Sequence, residues 1–168
     1  MIFSQGGIYM KKNVRFFNGC LGILLVVFLV AIPSRLAGET APQWTFMIYL
    51  DADNNLDAAS EQNIEAMIRG LTPDASVNLI VLWDRFENPA SIYQVTSAGT
   101  TELQALGEVD MDDPQTLYEF VRYAVSNFPA QRYFLDLWNH GAGVFGICSD
   151  DDSDEFRILR PYQVKESI

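Results

Sequence analysis

The chain has 168 residues, 49% hydrophobic and 20% charged, and its 22 acidic against 11 basic residues give a formal net charge of −11. That length holds one domain with enough apolar residues for a core, so disorder through lack of apolar content is excluded. A body of such negative charge repels phosphate backbones, which excludes nucleic acid as a partner, while one His and two distant Cys exclude a zinc finger and a disulfide framework.

The charge is split along the chain. Lys11, Lys12, Arg15 and Arg35 all precede Glu39, the first acidic residue, and from there on 7 basic residues face 22 acidic ones. The basic start from Met10 leads into an apolar run of 13 residues, Cys20 to Ile32, and then Pro33. This is the layout of a secretory signal, and the run is shorter than the roughly 20 residues that span a bilayer as a helix. We read residues 1–38 as an extension plus signal peptide, with Met10 as the true start and cleavage between Ser34 and Glu39, leaving a body without a membrane segment; an uncleaved N-terminal anchor is the alternative. Residues 39–168 then form the domain.

WTFMIYL, residues 44 to 50, has the continuous apolar character of a strand buried on both faces. After the polar DADNNLD, a helix is predicted from a cap at Asp57 to Arg69, with Gly70 closing it in a left-handed conformation. VNLIVLWD (77 to 84) is a second buried strand, and the alternating SIYQVTS (91 to 97) pairs with it as a hairpin through RFENPA. Asp112 and Asp113 before Pro114 start a helix that Pro129 stops. YFLDLW (133 to 138) is a further buried strand, ending in NHGAG. The order predicts an α/β sandwich with a mostly parallel sheet of three or four strands, incomplete because two helices leave apolar surface uncovered.

In such a sheet the functional groups gather beyond the carboxyl ends of the strands, here in DADNNLD and NHGAG. His140 is the sole histidine and stands between an apolar strand and two glycines, Gly141 and Gly143, where backbone can approach a substrate closely. A histidine that merely ends a strand is the competing reading. DADNNLD places Asp51, Asp53 and Asn55 at the first, third and fifth positions of a calcium loop, but Leu56 and Gln62 occupy places that need Gly and Glu, so an EF-hand is excluded. The loop reads as an Asx-rich turn, with Asp51 or Asp53 as the functional alternative, orienting His140. The acidic run Asp150 to Glu155 is a solvated loop with calcium as a weak option; no other cofactor or metal is expected.

WTFMIYLDADNNLD, VNLIVLWD and YFLDLWNHGAG, in this order and at these separations, resemble the N-terminal half of the clostripain family of cysteine peptidases, over roughly Trp44 to Asp152. The resemblance implies a caspase-like α/β/α sandwich, protein or peptide substrates cleaved after Arg or Lys, His140 as the catalytic histidine and Gly141 as an oxyanion donor. The family's nucleophile follows a later strand in an Asp-Ala-Cys pattern that this sequence lacks. Cys148, flanked by Asp150, Asp151 and Asp152, has a setting that disfavours a thiolate and reads as a small buried hydrophobe. The expectation is a peptidase fragment without its nucleophile; the alternative is a secreted, non-catalytic binding module or degenerate peptidase.

Overall fold

A computed structural model describes residues 41–149 and 157–168; the signal-like segment and the acidic run lie outside the described residues. The elements are β1 (Trp44–Ala52), α1 (Asp57–Gly70), β2 (Val77–Arg85), β3 (Asn88–Thr96), β4 (Gly99–Gly107), α2 (Pro114–Asn127), β5 (Arg132–Trp138) and α3 (Pro161–Glu166). They form one five-stranded sheet in the order β4-β3-β2-β1-β5. β1 runs parallel to both β2 and β5, whereas β2–β3 and β3–β4 are antiparallel. The sheet is thus mixed, a parallel half carrying the two Asn-rich loops and an antiparallel half that extends it.

Side chains alternate across a strand, and β1 uses both faces. Met47 and Tyr49 pack with Leu117, Phe120 and Ala124 of α2, while Ile48 and Leu50 pack with Ile64 of α1 on the opposite face. Two helices on two faces make the expected α/β/α sandwich, with β1 fully covered at its centre. The buried Tyr49 hydroxyl donates to Met111 O at 3.0 Å, tying the loop before α2 to the sheet. At the other end of β1, Thr45 Oγ1 donates to Phe128 O at 2.7 Å. The start of α2 follows its sequence signal, Asp113 accepting from the Gln115 N–H at 2.8 Å with Pro114 in the first turn.

Four expectations change. YFLDLW forms β5 but is not a buried strand: it stands at the sheet edge with no buried residue, Tyr133 and Phe134 being 38% and 48% exposed. β4 is an added strand; only Leu103 and Leu106 of its nine residues pack against the core, so it carries almost no apolar signal. Gly70 closes α1 without a left-handed residue: Leu71 is extended, its N–H bonded to Met67 O and Ile68 O. Asp57 does not cap α1. Leu56 holds that place, and Asp57, one residue inside, is engaged by Arg85 at 2.8 and 3.0 Å, with Arg85 also 2.6 Å from Glu61. Arg85 lies over the Trp83 ring, 4.8 Å from its centroid, and Trp83 Nε1 donates to Ser60 Oγ at 2.8 Å, so β2 grips the first turns of α1 through both residues.

Hydrogen bonding from Arg85 holds the Asp57 carboxyl below its ordinary range. A carboxylate depressed in the folded state adds stability above its unfolded pKa of about 4, and that stability is lost as pH falls through the folded value. We therefore expect Asp57→Asn to lower stability at neutral pH by about 1 kcal/mol, and to lower it less in acid. Urea denaturation from pH 7 down to pH ~2.5 reads this; curves of variant and wild type separated by a constant amount across that range would contradict the pairing.

Candidate active site

The carboxyl ends of β1, β2 and β5 bring three polar groups together. Asp51 and Asp84 are register partners, both fully buried, and Asn139 follows directly on β5, whose last residue Trp138 pairs with Leu50. A carboxylate taken out of water needs donors. Asn139 supplies one: its Nδ2 donates to Asp51 Oδ2 and also, at 3.1 Å, to Ser149 O. Its Oδ1 accepts from Asn54 Nδ2 at 3.3 Å and from the His140 N–H. A primary amide offers two donors and two acceptor sites, so this side chain is fully used. It ties the loop after β1, the loop after β5 and the returning segment at Ser149 into one unit.

The loop after β1 is itself locked. Asn54, 6% exposed, accepts the Leu56 N–H on Oδ1 at 2.9 Å, an Asx turn, and donates from Nδ2 to Asp51 O at 3.4 Å. This fixed turn presents the exposed Asn55, whose Oδ1 lies 2.9 Å from His140 Nε2. His140 is exposed, so that contact rather than packing holds its ring. The ring partner is Asn55, not Asp51 or Asp53. Asp51 bears on His140 through the Asn139 amide, and Asp53 is buried in the loop after β1.

Gly141 is exposed, with nothing within 4 Å of where a Cβ would stand. It opens a small hairpin: Gly141 bridges Ile147, which bridges Leu159, and Ala142 N–H donates to Gly146 O at 2.9 Å. Gly146 has φ +146°, and a Cβ there would come 2.4 Å from Leu159 O, so only glycine lets the two segments approach. The hairpin places His140 and Gly141 on the open side of the site and sends Cys148 inward.

Cys148 is the only cysteine among the described residues. It is fully buried, takes a positive φ of 57°, and packs with Tyr49, Met111 and Phe120 in the α2-side core. Burial pushes its thiol far up, and the charge of Asp51 together with a hydrogen bond to that carboxylate pushes the same way. The sequence reading of a small buried hydrophobe holds for its surroundings. Desolvation likewise raises Tyr49, with Cys148 and Asp51 adding to it. Among the described residues no group of three or more His, Cys, Asp or Glu side chains is arranged to hold a metal ion. The sequence points to His140, to Gly141 and to Asp51 or Asp53, but not to the asparagines: Asn55 enters only as a position of the excluded calcium loop, Asn54 only within the Asx-rich turn, and Asn139 only within NHGAG.

The Clostripain family pattern matches residues 48–158. Among curated proteins the chain is similar to clostripain of Hathewaya histolytica, 31% identical over 142 residues, covering 65% of this chain and 27% of that protein. The chain thus spans about a quarter of the length of that relative. Among solved structures it is similar to a secreted C11 cysteine protease from Bacteroides thetaiotaomicron in complex with an irreversible peptide inhibitor, with a TM-score of 0.65 and 18% identity over 74% of this chain and 38% of that one. It is similar as well to an inactive zymogen C11 protease from Parabacteroides distasonis, with a TM-score of 0.53 and 25% identity over 64% of this chain and 33% of that one.

The thiolate is the reactive form of cysteine, and every influence on Cys148 opposes it. Alkylation by iodoacetamide at pH 8, followed by mass spectrometry of the Cys148 peptide, should run at least ~100-fold slower in the native chain than in urea. Comparable rates would place the thiol outside the core.

Proposed function

From the membership of this chain in the clostripain family, we propose that it is the histidine-bearing part of a secreted cysteine endopeptidase that cleaves proteins or peptides after Arg or Lys. The observation that carries this reading is the exposed His140, its ring held at 2.9 Å by Asn55, beside the open backbone of Gly141. The nucleophile in this proposal is a cysteine other than Cys148, carried by sequence beyond this chain.

The chemistry follows from those positions. The thiolate attacks the scissile carbonyl carbon, and the carbonyl electrons move onto oxygen, where the Gly141 N–H helps to hold the oxyanion. His140, as imidazolium, gives its proton to the departing amine, and the C–N bond breaks to leave a thioester. Water, deprotonated by His140, then releases the acid and regenerates the thiolate. Thiolate, imidazole and backbone amide suffice, so the proposal asks for no cofactor. Export rests on the basic residues Lys11, Lys12 and Arg15 ahead of the apolar run Cys20 to Ile32, and on the description of the Bacteroides thetaiotaomicron relative as secreted. Among the described residues no helix is long and apolar enough to cross a membrane.

The test joins this chain to the nucleophile-bearing portion of a clostripain-family peptidase and follows hydrolysis of Arg- and Lys-containing peptides. Turnover is expected only with both parts present, unchanged by Cys148→Ser and lowered by at least ~10³-fold by His140→Ala. A loss below about tenfold for His140→Ala would return His140 to the role of a residue that merely ends a strand.

A further inference from the structure

An exposed imidazole on a loop has rotamer and tautomer freedom that a general base has to give up. Nothing in the packing around His140 removes it, because the residue is exposed and followed by glycine. The only side chain hydrogen-bonded to the ring among the described residues is Asn55, and Asn55 is presented by a turn whose geometry Asn54 fixes through Leu56 N and Asn139. We infer that Asn55 is the positioning residue of the site, its Oδ1 accepting from Nε2–H of His140 so that Nδ1 is the nitrogen that takes and returns the proton.

The direction of the bond decides the roles. An amide oxygen only accepts, so the neutral ring must carry its hydrogen on Nε2, and the lone pair is left on Nδ1. Once Nδ1 takes up a proton, the Nε2–H bond to Asn55 persists, so the ring keeps its orientation through the whole cycle. Asp51, which the sequence suggested for this task, is occupied instead with the Asn139 amide and the Cys148 thiol. The division is economical in atoms: Asn139 holds the backbone of His140 through its N–H, and Asn55 holds its ring. The assignment rests on the peptidase reading for its catalytic meaning, but the hydrogen bond itself can be read without turnover.

His140 is the single histidine of the chain, so its ring signals in a long-range ¹H–¹⁵N spectrum are unambiguous. In the full chain, at a pH where the ring is neutral, we expect the Nε2–H tautomer, with an Nε2 proton protected from water exchange and a cross-relaxation contact to the Asn55 side chain. Asn55→Ala should abolish the protected proton and that contact while the backbone amide spectrum outside the two loops stays as in wild type. Asn55→Asp, which keeps an acceptor oxygen in place, should restore the proton. The inference is overturned by an Nδ1–H tautomer in wild type, by survival of the protected proton in Asn55→Ala, or by its absence in Asn55→Asp with the fold intact. In the joined enzyme of the preceding test, Asn55→Ala should lower kcat by roughly 10- to 100-fold with KM within about twofold, less than the full general acid–base contribution. An Nε2–H bond that behaves as expected in the chain, together with a joined enzyme that shows no turnover, would sink the peptidase reading and leave the geometry standing; turnover of the joined enzyme unaffected by Asn55→Ala would do the reverse.

Discussion

A carboxylate buried at the end of a central strand is the constraint from which the rest of the site follows. Asp51 closes β1 fully out of water beside Asp84, and the cost of leaving it without donors would exceed what most side-chain contacts return. The Asn139 amide answers it from the end of β5. Because an amide also has a second donor and a carbonyl, the same side chain reaches Ser149 O, Asn54 and the His140 N–H. One buried charge therefore recruits a residue that fastens three separate segments together, and the histidine inherits its place from that arrangement.

The arrangement also separates His140 from Cys148, the only thiol among the described residues. His140 is held outward, on an open edge with Gly141, whereas Cys148 is turned inward against Asp51 and the α2-side core. The hairpin from Gly141 to Ile147 performs the turn, and Gly146 permits it by letting Leu159 O lie where a side chain would otherwise stand. β5 occupies one end of the strand order, and its Tyr133 and Phe134 are 38% and 48% exposed. Those two residues lie at the start of β5, and its far end leads into the histidine loop, where the proposed enzyme needs its nucleophile.

What the sequence disclosed follows apolar content. β1 and β2 are buried and announce themselves as continuous apolar runs, and β5 does so although it is an edge strand with no buried residue; the Asp113–Pro114 start of α2 is a local hydrogen-bonding signal that tertiary structure did not override. β4 stayed hidden because its residues are mostly polar and only Leu103 and Leu106 meet the core. Asp57 was misassigned as a cap because its partner, Arg85, is 28 residues away and no local rule contains it. The site divided in the same way. His140 and Gly141 stand out by residue type, but the roles of Asn54, Asn55 and Asn139 depend on two loops, 85 residues apart, meeting in space. Asparagine in a loop has a sufficient local explanation as a turn former, and this masked its longer-range use.

The claim that one buried interaction organises both loops is tested most directly by a double-mutant cycle on stability, with Asp51→Ala, Asn139→Ala and the combined variant unfolded in urea. Strong non-additivity is expected, a coupling of about 1 kcal/mol or more, because either single change strips the other residue of its purpose. Additive losses, within about 0.3 kcal/mol, would contradict it, for Asp51 and Asn139 would then be neighbours without a shared function.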